Sequence, residues 1–208
     1  MLILGVDGAS DSASCTLYDS GTGRVISTVS GLTGATSETL LRAVDSVLRA
    51  GSVTVCDVDF GAVTRGPGSF TGIRVAMSLM KGLFFGRGLV TVSTLRAAAV
   101  ALSERYAVGD SAGENVGNNI EIRIDARAGK FYHAGFCMAE SGMKRLTADT
   151  VFDITEDTVF TDIPPLSESV CRIAACRTAA PAEFAMPKFI LPSQAERQRK
   201  DRVQSNGR

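Results

Sequence analysis

Residues 60–85 constrain the fold most. Phe60 to Thr64 is a short apolar run, Arg65-Gly66-Pro67-Gly68 is a loop, and a helical pattern then runs from about Ser69 or Phe70 to Phe85. A buried strand that turns sharply into a helix is one step of a layered α/β structure, because each element must cover its apolar side with the other. The flanking segments extend the pattern. Leu2 to Val6 reads as a buried strand running into Asp7-Gly8-Ala9-Ser10, and Ser14 to Tyr18 and Arg24 to Ser30 read as two more strands. Ser37 caps a helix reaching about Ala50, with Gly51 as its stop. Leu89 to Val92 is a fifth strand, and Ser93 caps a third helix through about Tyr106. The order βββαβαβα predicts a mixed sheet with helices packed on it.

The second half repeats this opening in part. Residues 107–119 are rich in Gly, Ser, Asp and Asn and read as a linker. Ile120 to Asp125, the turn Ala126-Arg127-Ala128-Gly129 and Lys130 to Phe136 form a strand pair, with Met143 to Leu146 as a third strand. One helix, about Leu166 to Arg177, follows, so the duplication is incomplete. The expected organisation is an N-terminal half over 1–106, a smaller half of similar topology over 107–192, and a polar tail over 193–208.

Composition narrows the function classes. With 208 residues, 45% hydrophobic and 21% charged, the chain can bury a real core in one large or two small domains. Its 22 basic and 22 acidic side chains cancel, which argues against a body that coats nucleic acid. His133 is the single histidine, so one chain cannot build a metal site that needs two. The five cysteines form no CxxC pair and read as reduced, mostly buried thiols. Met1 to Val6 carries no basic n-region before Asp7, and the longest apolar stretch, 75–90, is broken by Lys81 and Arg87. The expectation is a cytoplasmic protein with no membrane partner.

Four features could carry chemistry. The loop's glycines let a backbone approach closely, and a helix N-terminus attracts anions, so residues 65–74 suit either a phosphate cradle or a tight strand-to-helix connection. They lack the Gly-Lys-Ser/Thr ending and the phosphate-reaching lysine of a Walker loop. The helix after the loop carries two apolar stripes, one of Ile73, Met77, Met80 and Phe84 and one of Val75, Leu79 and Leu83 flanked by Gly72, Ala76 and Gly82. Two stripes need two covers, either neighbouring elements or a partner. Asp7 and Asp125 each end a strand, where a carboxylate either holds phosphate-bound magnesium or orders a turn. Cys15 and His133 fall on strands and read as structural, and the Arg197 to Arg202 charge run reads as a solvated tail with RNA or partner contact as the rarer use.

Thr64 to Gly88, with Gly66-Pro67-Gly68-Ser69-Phe70-Thr71-Gly72, then Arg74, then the Lys81-Gly82 pair, closely resembles the signature of the bacterial TsaB (YeaZ) family. Leu2 to Asp7, Ser37 to Leu41, Val92 to Leu95, Ile124 to Arg127 with Phe131-Tyr132, and Pro187 to Ser193 resemble further family segments, the last its C-terminal strand. Between about Thr147 and Pro165 the chain is shorter than the family pattern, which there has another helix and strand. The resemblance implies two tandem actin- or sugar-kinase-like halves of the RNase H type, the second shortened. It also implies a non-catalytic dimerisation subunit of the complex that installs threonylcarbamoyl-adenosine in tRNA. The catalytic paralogue TsaD would be the partner, the ATPase TsaE a third component, and a homodimer the form adopted alone.

Under that reading ATP and metal sit on the partner subunits and this chain binds no cofactor. It touches tRNA only indirectly or through its tail. Leu40, Leu41, Val44, Ile73, Met77, Met80 and Phe84 are the expected interface residues on the helices at about 37–50 and 70–85. The rival readings are a free-standing ATPase or kinase of the same fold, with Asp7 and the glycine loop on magnesium-phosphate, and a metalloprotease, against which the single histidine counts.

Overall fold

The apolar run at the N-terminus becomes the central strand of a six-stranded mixed sheet, β1 (Leu2–Asp7). The structure, a computed structural model, describes residues 1–33, 35–107, 119–127, 129–139, 142–155 and 161–191. The polar tail and all but the end residues of the expected linker lie outside them. Antiparallel strands β2 (Ser12–Asp19) and β3 (Arg24–Thr33) extend the sheet on one side of β1. Parallel strands β4 (Phe60–Thr64) and β5 (Gly88–Val92) extend it on the other. The helices between them are α1 (Ser37–Ala50), α2 (Phe70–Leu83) and α3 (Thr94–Ala107), so the expected βββαβαβα order is what forms.

The pleat sends alternate residues of β1 into two separate cores. Leu4 and Val6 join Cys15 and Leu17 beneath α1 and α2, against Leu40, Val44, Val47, Ala76, Met77 and Met80. Ile3 faces the other way, into a core with Phe60, Ala62, Val90 and Val92, α3 and the second sheet. Helix α1 begins one residue earlier than its sequence suggests, because Thr36 rather than Ser37 is the cap. Thr36 Oγ1 accepts from Thr39 N–H at 3.2 Å and Thr39 Oγ1 accepts from Thr36 N–H at 3.0 Å, a reciprocal box.

The second sheet is built from β6 (Asn119–Arg127), β7 (Lys130–Ala139) and β8 (Gly142–Arg145), a meander like the one that opens the chain. A strand absent from the sequence reading, β9 (Thr150–Asp153), pairs with β7 through Lys130 to His133. The segment is only four residues long and half exposed, so it carries no period to read. The one described α-helix of the second half, α4 (Ser167–Ala175), packs on the first sheet. It crosses Gly5, where an added Cβ would overlap Cys171 Sγ and lie 2.7 Å from the Ser167 carbonyl. Its buried N-terminus is satisfied by β2: Ser14 Oγ accepts from Ser167 N–H at 3.2 Å, and Thr16 Oγ1 lies 2.7 Å from Ser167 Oγ.

After α4 the short strand β10 (Ala180–Pro181) adds to the free edge of β5. The expected C-terminal strand at Pro187 to Ser193 does not form within its described part, 187–191. Lys188 N–H donates to the Arg65 carbonyl at 2.6 Å and Phe189 packs on Phe70 instead. The cysteines are all free, but only Cys15 and Cys171 are buried, not most of them. Burial pushes the Cys15 thiol up to about 12, as suits a core residue rather than a nucleophile. Among the described residues no helix is long and apolar enough to cross a membrane.

Candidate functional site

The glycine loop sits where β1, β4 and α2 converge, and its backbone packs against backbone. Ser69 caps α2 by accepting from Gly72 N–H at 3.2 Å, while its own N–H donates to the Ala9 carbonyl at 2.8 Å. Gly68, at φ +150°, holds a conformation open to glycine, and an added Cβ there would overlap the Ala9 carbonyl oxygen. At Gly72 an added Cβ would overlap the Gly8 carbonyl oxygen and lie 3.2 Å from Ala35 Cβ. Gly66 lies under the Lys188 carbonyl, 2.5 Å from where its Cβ would be, and Pro67 is buried. Of the two uses that the sequence left open, this is the geometry of a tight connection. The close approach is to the chain itself.

Two more signature side chains are engaged, those of Phe70 and Arg74. The Phe70 ring packs tilted against that of Phe189, with centres 4.5 Å apart, and the Arg74 guanidinium lies 4.1 Å from the Phe70 ring centre. Thr71 and Arg74 are exposed on the outer side of α2.

Asp7 is fully buried at the end of β1. Its Oδ1 accepts from Ala9 N–H at 2.9 Å and from Thr64 Oγ1 at 2.7 Å, and its Oδ2 accepts from Ser10 Oγ. Thr64 in turn accepts from Gly8 N–H at 3.3 Å, tying the ends of β1 and β4 together. Sequence reasoning named Asp7 and missed Thr64 and Ser10; the only signal was that Thr64 closes one apolar strand and Ser10 lies in the turn after another. Burial raises the Asp7 carboxyl above the usual 3.8, outweighing the lowering by the Ser10, Thr64 and backbone bonds. The folded state then binds the proton more tightly than the unfolded chain. The stability this group contributes is complete below the unfolded value and is lost as pH rises through the folded one. Asp7→Asn is therefore expected to gain stability relative to the parent as pH rises from about 4 to about 7. Urea unfolding of both across that range reads the difference; a flat or falling difference contradicts it.

Asp125 does not join Asp7. It lies on the other sheet, exposed, where its Oδ1 accepts from Arg127 N–H at 2.6 Å and orders the β6–β7 hairpin, with Arg127 at φ +61°. Arg127 Nη2 reaches Asp11 Oδ1 at 3.2 Å. His133 on β7 pairs with Glu121 on β6 and meets the Phe152 ring edge-on at 5.6 Å. Among the described residues no group of three His, Cys, Asp or Glu is placed to hold a metal.

The helix pair α1–α2 divides the seven expected interface residues unevenly. Leu40, Val44, Ile73, Met77, Met80 and Phe84 are buried in the chain, and Leu41 alone is exposed, at 51%. The stripe Ile73, Met77, Met80, Phe84 faces the sheet, because Gly61 of β4 leaves room there: an added Cβ would lie 2.7 Å from Phe84 Cδ2 and 2.8 Å from Met80 Cε. The other stripe is only partly covered and packs at the edge of the same core. Val75, Leu79 and Leu83 are half-buried, Gly82 is exposed, and nothing lies within 4 Å of where a Gly82 Cβ would be. The accessible part of α2 is therefore Gly82 with the half-buried Val75, Leu79 and Leu83, and on α1 Leu41 is exposed. Both stripes were legible in the sequence; which one faced the sheet was decided by a glycine on a different strand.

Residues 33–164 match the family model of TsaD, tRNA N6-adenosine threonylcarbamoyltransferase. The chain is 30% identical over 145 residues to the tRNA threonylcarbamoyladenosine biosynthesis protein TsaB of Escherichia coli (strain K12), which covers 69% of this chain and 58% of that protein. It is 35% identical over 95 residues to the Haemophilus influenzae protein of the same name, covering 45% of this chain and 36% of that protein. The chain thus matches well under two thirds of either relative's length. Among solved structures, YeaZ from Pseudomonas aeruginosa superposes with a TM-score of 0.75 at 22% identity, covering 91% of this chain and 99% of that one. A Pseudomonas aeruginosa protein with similarity to peptidase YEAZ gives 0.74 at 21% identity over the same shares. At that identity the superpositions establish a shared fold.

Proposed function

The chain belongs to the family of TsaD, tRNA N6-adenosine threonylcarbamoyltransferase, and the curated relatives it matches are TsaB proteins; on that premise we propose that it is a non-catalytic subunit of a system that forms threonylcarbamoyladenosine in tRNA. Its task is to hold a catalytic subunit of the TsaD type in working form. The observation that carries this reading is the outward face of α1 and α2. Val75, Leu79 and Leu83 form a half-buried apolar row beside Gly82, which lets a second backbone come close, and Leu41 is a further exposed apolar residue on α1. A free globular surface seldom keeps such a row on a helix that already buries another.

ATP, metal and the reacting groups then belong to the partner subunits, with an ATPase of the TsaE type among them. The half over 1–106 supplies the docking face, and the half over 107–192 buttresses it through α4 beneath the same sheet. A homodimer formed on the same face would compete with the catalytic subunit, so the two complexes exclude each other. The assembly works in the cytoplasm, on tRNA held mainly by the partner.

Size-exclusion chromatography with light scattering, run on this chain with and without TsaD, tests the reading. A one-to-one heterodimer is expected, at the expense of any homodimer. Leu41→Asp is expected to weaken it about tenfold, because Leu41 is exposed and its loss costs the fold little. No complex, or a complex indifferent to Leu41→Asp and to changes at Leu79, sinks the assigned face.

A further inference from the structure

Arg65, Arg96 and Arg177 are far apart in the sequence and meet at one rim of the first sheet. Arg65 follows β4, and its N–H donates to the Val92 carbonyl at 2.9 Å. Arg96 lies in the first turn of α3, and Arg177, just past α4, donates from Nη1 to the Thr91 carbonyl at 3.4 Å. Thr94 opens α3 and donates its N–H to the Gly66 carbonyl at 3.1 Å, so the positive end of a 14-residue helix lies beside Arg65. Two more cations border the rim. Arg145 Nη2 donates to Ser93 Oγ at 3.2 Å, and Lys188 is bonded through its backbone to Arg65.

The carboxylates do not balance this charge. Asp149, its side chain 1% exposed, pairs with both Arg145 and Lys188 and is used up by them. Among the described residues no ion pair reaches Arg65, Arg96 or Arg177. Four buried side-chain polar atoms lack a partner among those residues, and three are here: Arg65 Nε, Arg96 Nε and Thr94 Oγ1. Thr94 itself is 1% exposed. Buried donors nearly always meet an acceptor. Two guanidinium N–H groups and a hydroxyl without partners, near the start of one helix, call for the same complement, an anion with several oxygens. Partial burial, then Arg96 and Arg65, hold the Arg177 guanidinium below its ordinary range, so these cations work against one another.

We propose that this rim binds a phosphate group, held by the guanidinium groups of Arg65, Arg96 and Arg177 and the N-terminus of α3. A phosphate offers the fixed, multiple oxygens that guanidinium forks match in pairs. It can arrive as free phosphate or pyrophosphate, or as a phosphodiester of an RNA backbone; the chemistry at the rim is the same. The site uses none of the α1–α2 surface and stands without the scaffold reading.

The probes are pyrophosphate, titrated calorimetrically in chloride buffer, and a labelled RNA stem-loop, followed by fluorescence anisotropy. Submillimolar binding of at least one is expected. Arg177→Gln and Arg96→Gln should each weaken it about tenfold, the loss of one charge-assisted bond, while Arg42→Gln on the outer side of α1 should not. Binding of pyrophosphate alone assigns the site to a free phosphate, and binding of RNA alone assigns it to a backbone. Arg177 is exposed, so its substitution spares the fold. In phosphate-free buffer Arg177→Gln should melt at or above the parent temperature, because one of three mutually repelling charges is gone. Failure of both probes to bind, or binding indifferent to both substitutions, overturns the proposal.

Discussion

Met80→Arg is expected to unfold the chain, and Gly82→Arg to leave it folded but unable to hold a TsaD-type partner. The two positions are neighbours on α2 and point opposite ways. Met80 is fully buried between the helix and β4, against Phe84 and the backbone of Gly61. A guanidinium there has neither water nor a carboxylate. The lost methionine packing and the buried charge together cost about 4 kcal/mol or more, a large part of a domain's net stability. Gly82 is exposed, its Cβ position is open, and its φ needs no glycine. A longer side chain at 82 improves helix propensity while placing bulk and charge beside the C-terminal end of the apolar row. Leaving that charge unpaired in a buried interface costs ~3 kcal/mol, about a hundredfold in affinity. Circular dichroism melts and pull-down with TsaD read the pair. Gly82→Arg that still captures TsaD at parent affinity would refute the outward face. Met80→Arg that folds normally would refute the assignment of the inner one.

That contrast also marks how far the sequence could be read. Periods settle within one element, and α1, α2 and β4 fall where their apolar spacing puts them. Helix α2 was legible as a helix with two apolar stripes because 3.6-residue spacing is local information. Which stripe turned inward was not local. It depended on Gly61 of β4 making space for Met80 and Phe84, across a contact that no helical period records. The same limit explains why Thr64 was missed as a partner of Asp7, though not Ser10, which lies only three residues away. The Ala9 bond of Asp7 is two residues away, but Thr64 is 57 residues away and is brought close by β1 pairing in parallel with β4. The arginine rim gathers residues 65, 96 and 177 from three separate elements, so no motif announces it. Short pieces failed for another reason. β9 and β10 are formed by the neighbour they pair with rather than by their own propensity.

Gly72→Ala is expected to destabilise the chain by about 3 kcal/mol, whereas Gly82→Ala, the same substitution on the same helix, should stabilise it by about 0.5–1 kcal/mol. At 82 the methyl group meets nothing and the helix gains by losing a flexible glycine. At 72 the new Cβ would overlap the Gly8 carbonyl oxygen and crowd Ser69 Oγ at 3.1 Å and Ala35 Cβ at 3.2 Å. The Gly8 carbonyl cannot yield freely, because Gly8 N–H is tied to Thr64 and Asp7 next to it is held by three donors. Nor can α2 withdraw, because Ser69 N–H is bonded to the Ala9 carbonyl at 2.8 Å and the inner stripe of the helix is buried. For a chain of this length, 3 kcal/mol lowers the melting temperature by about 6–12 °C, well outside the error of a calorimetric scan. The pair also weighs on what the signature loop is for. A loop kept open as a cradle for a ligand's phosphates tolerates a methyl group at its helix start with a loss of binding and little loss of stability. A loop whose glycines seat one backbone against another loses stability first. Melting temperatures that move equally for the two substitutions would show that the turn after β1 and the start of α2 are not in contact at Gly8 and Gly72. The close packing derived for the loop would then fall with them.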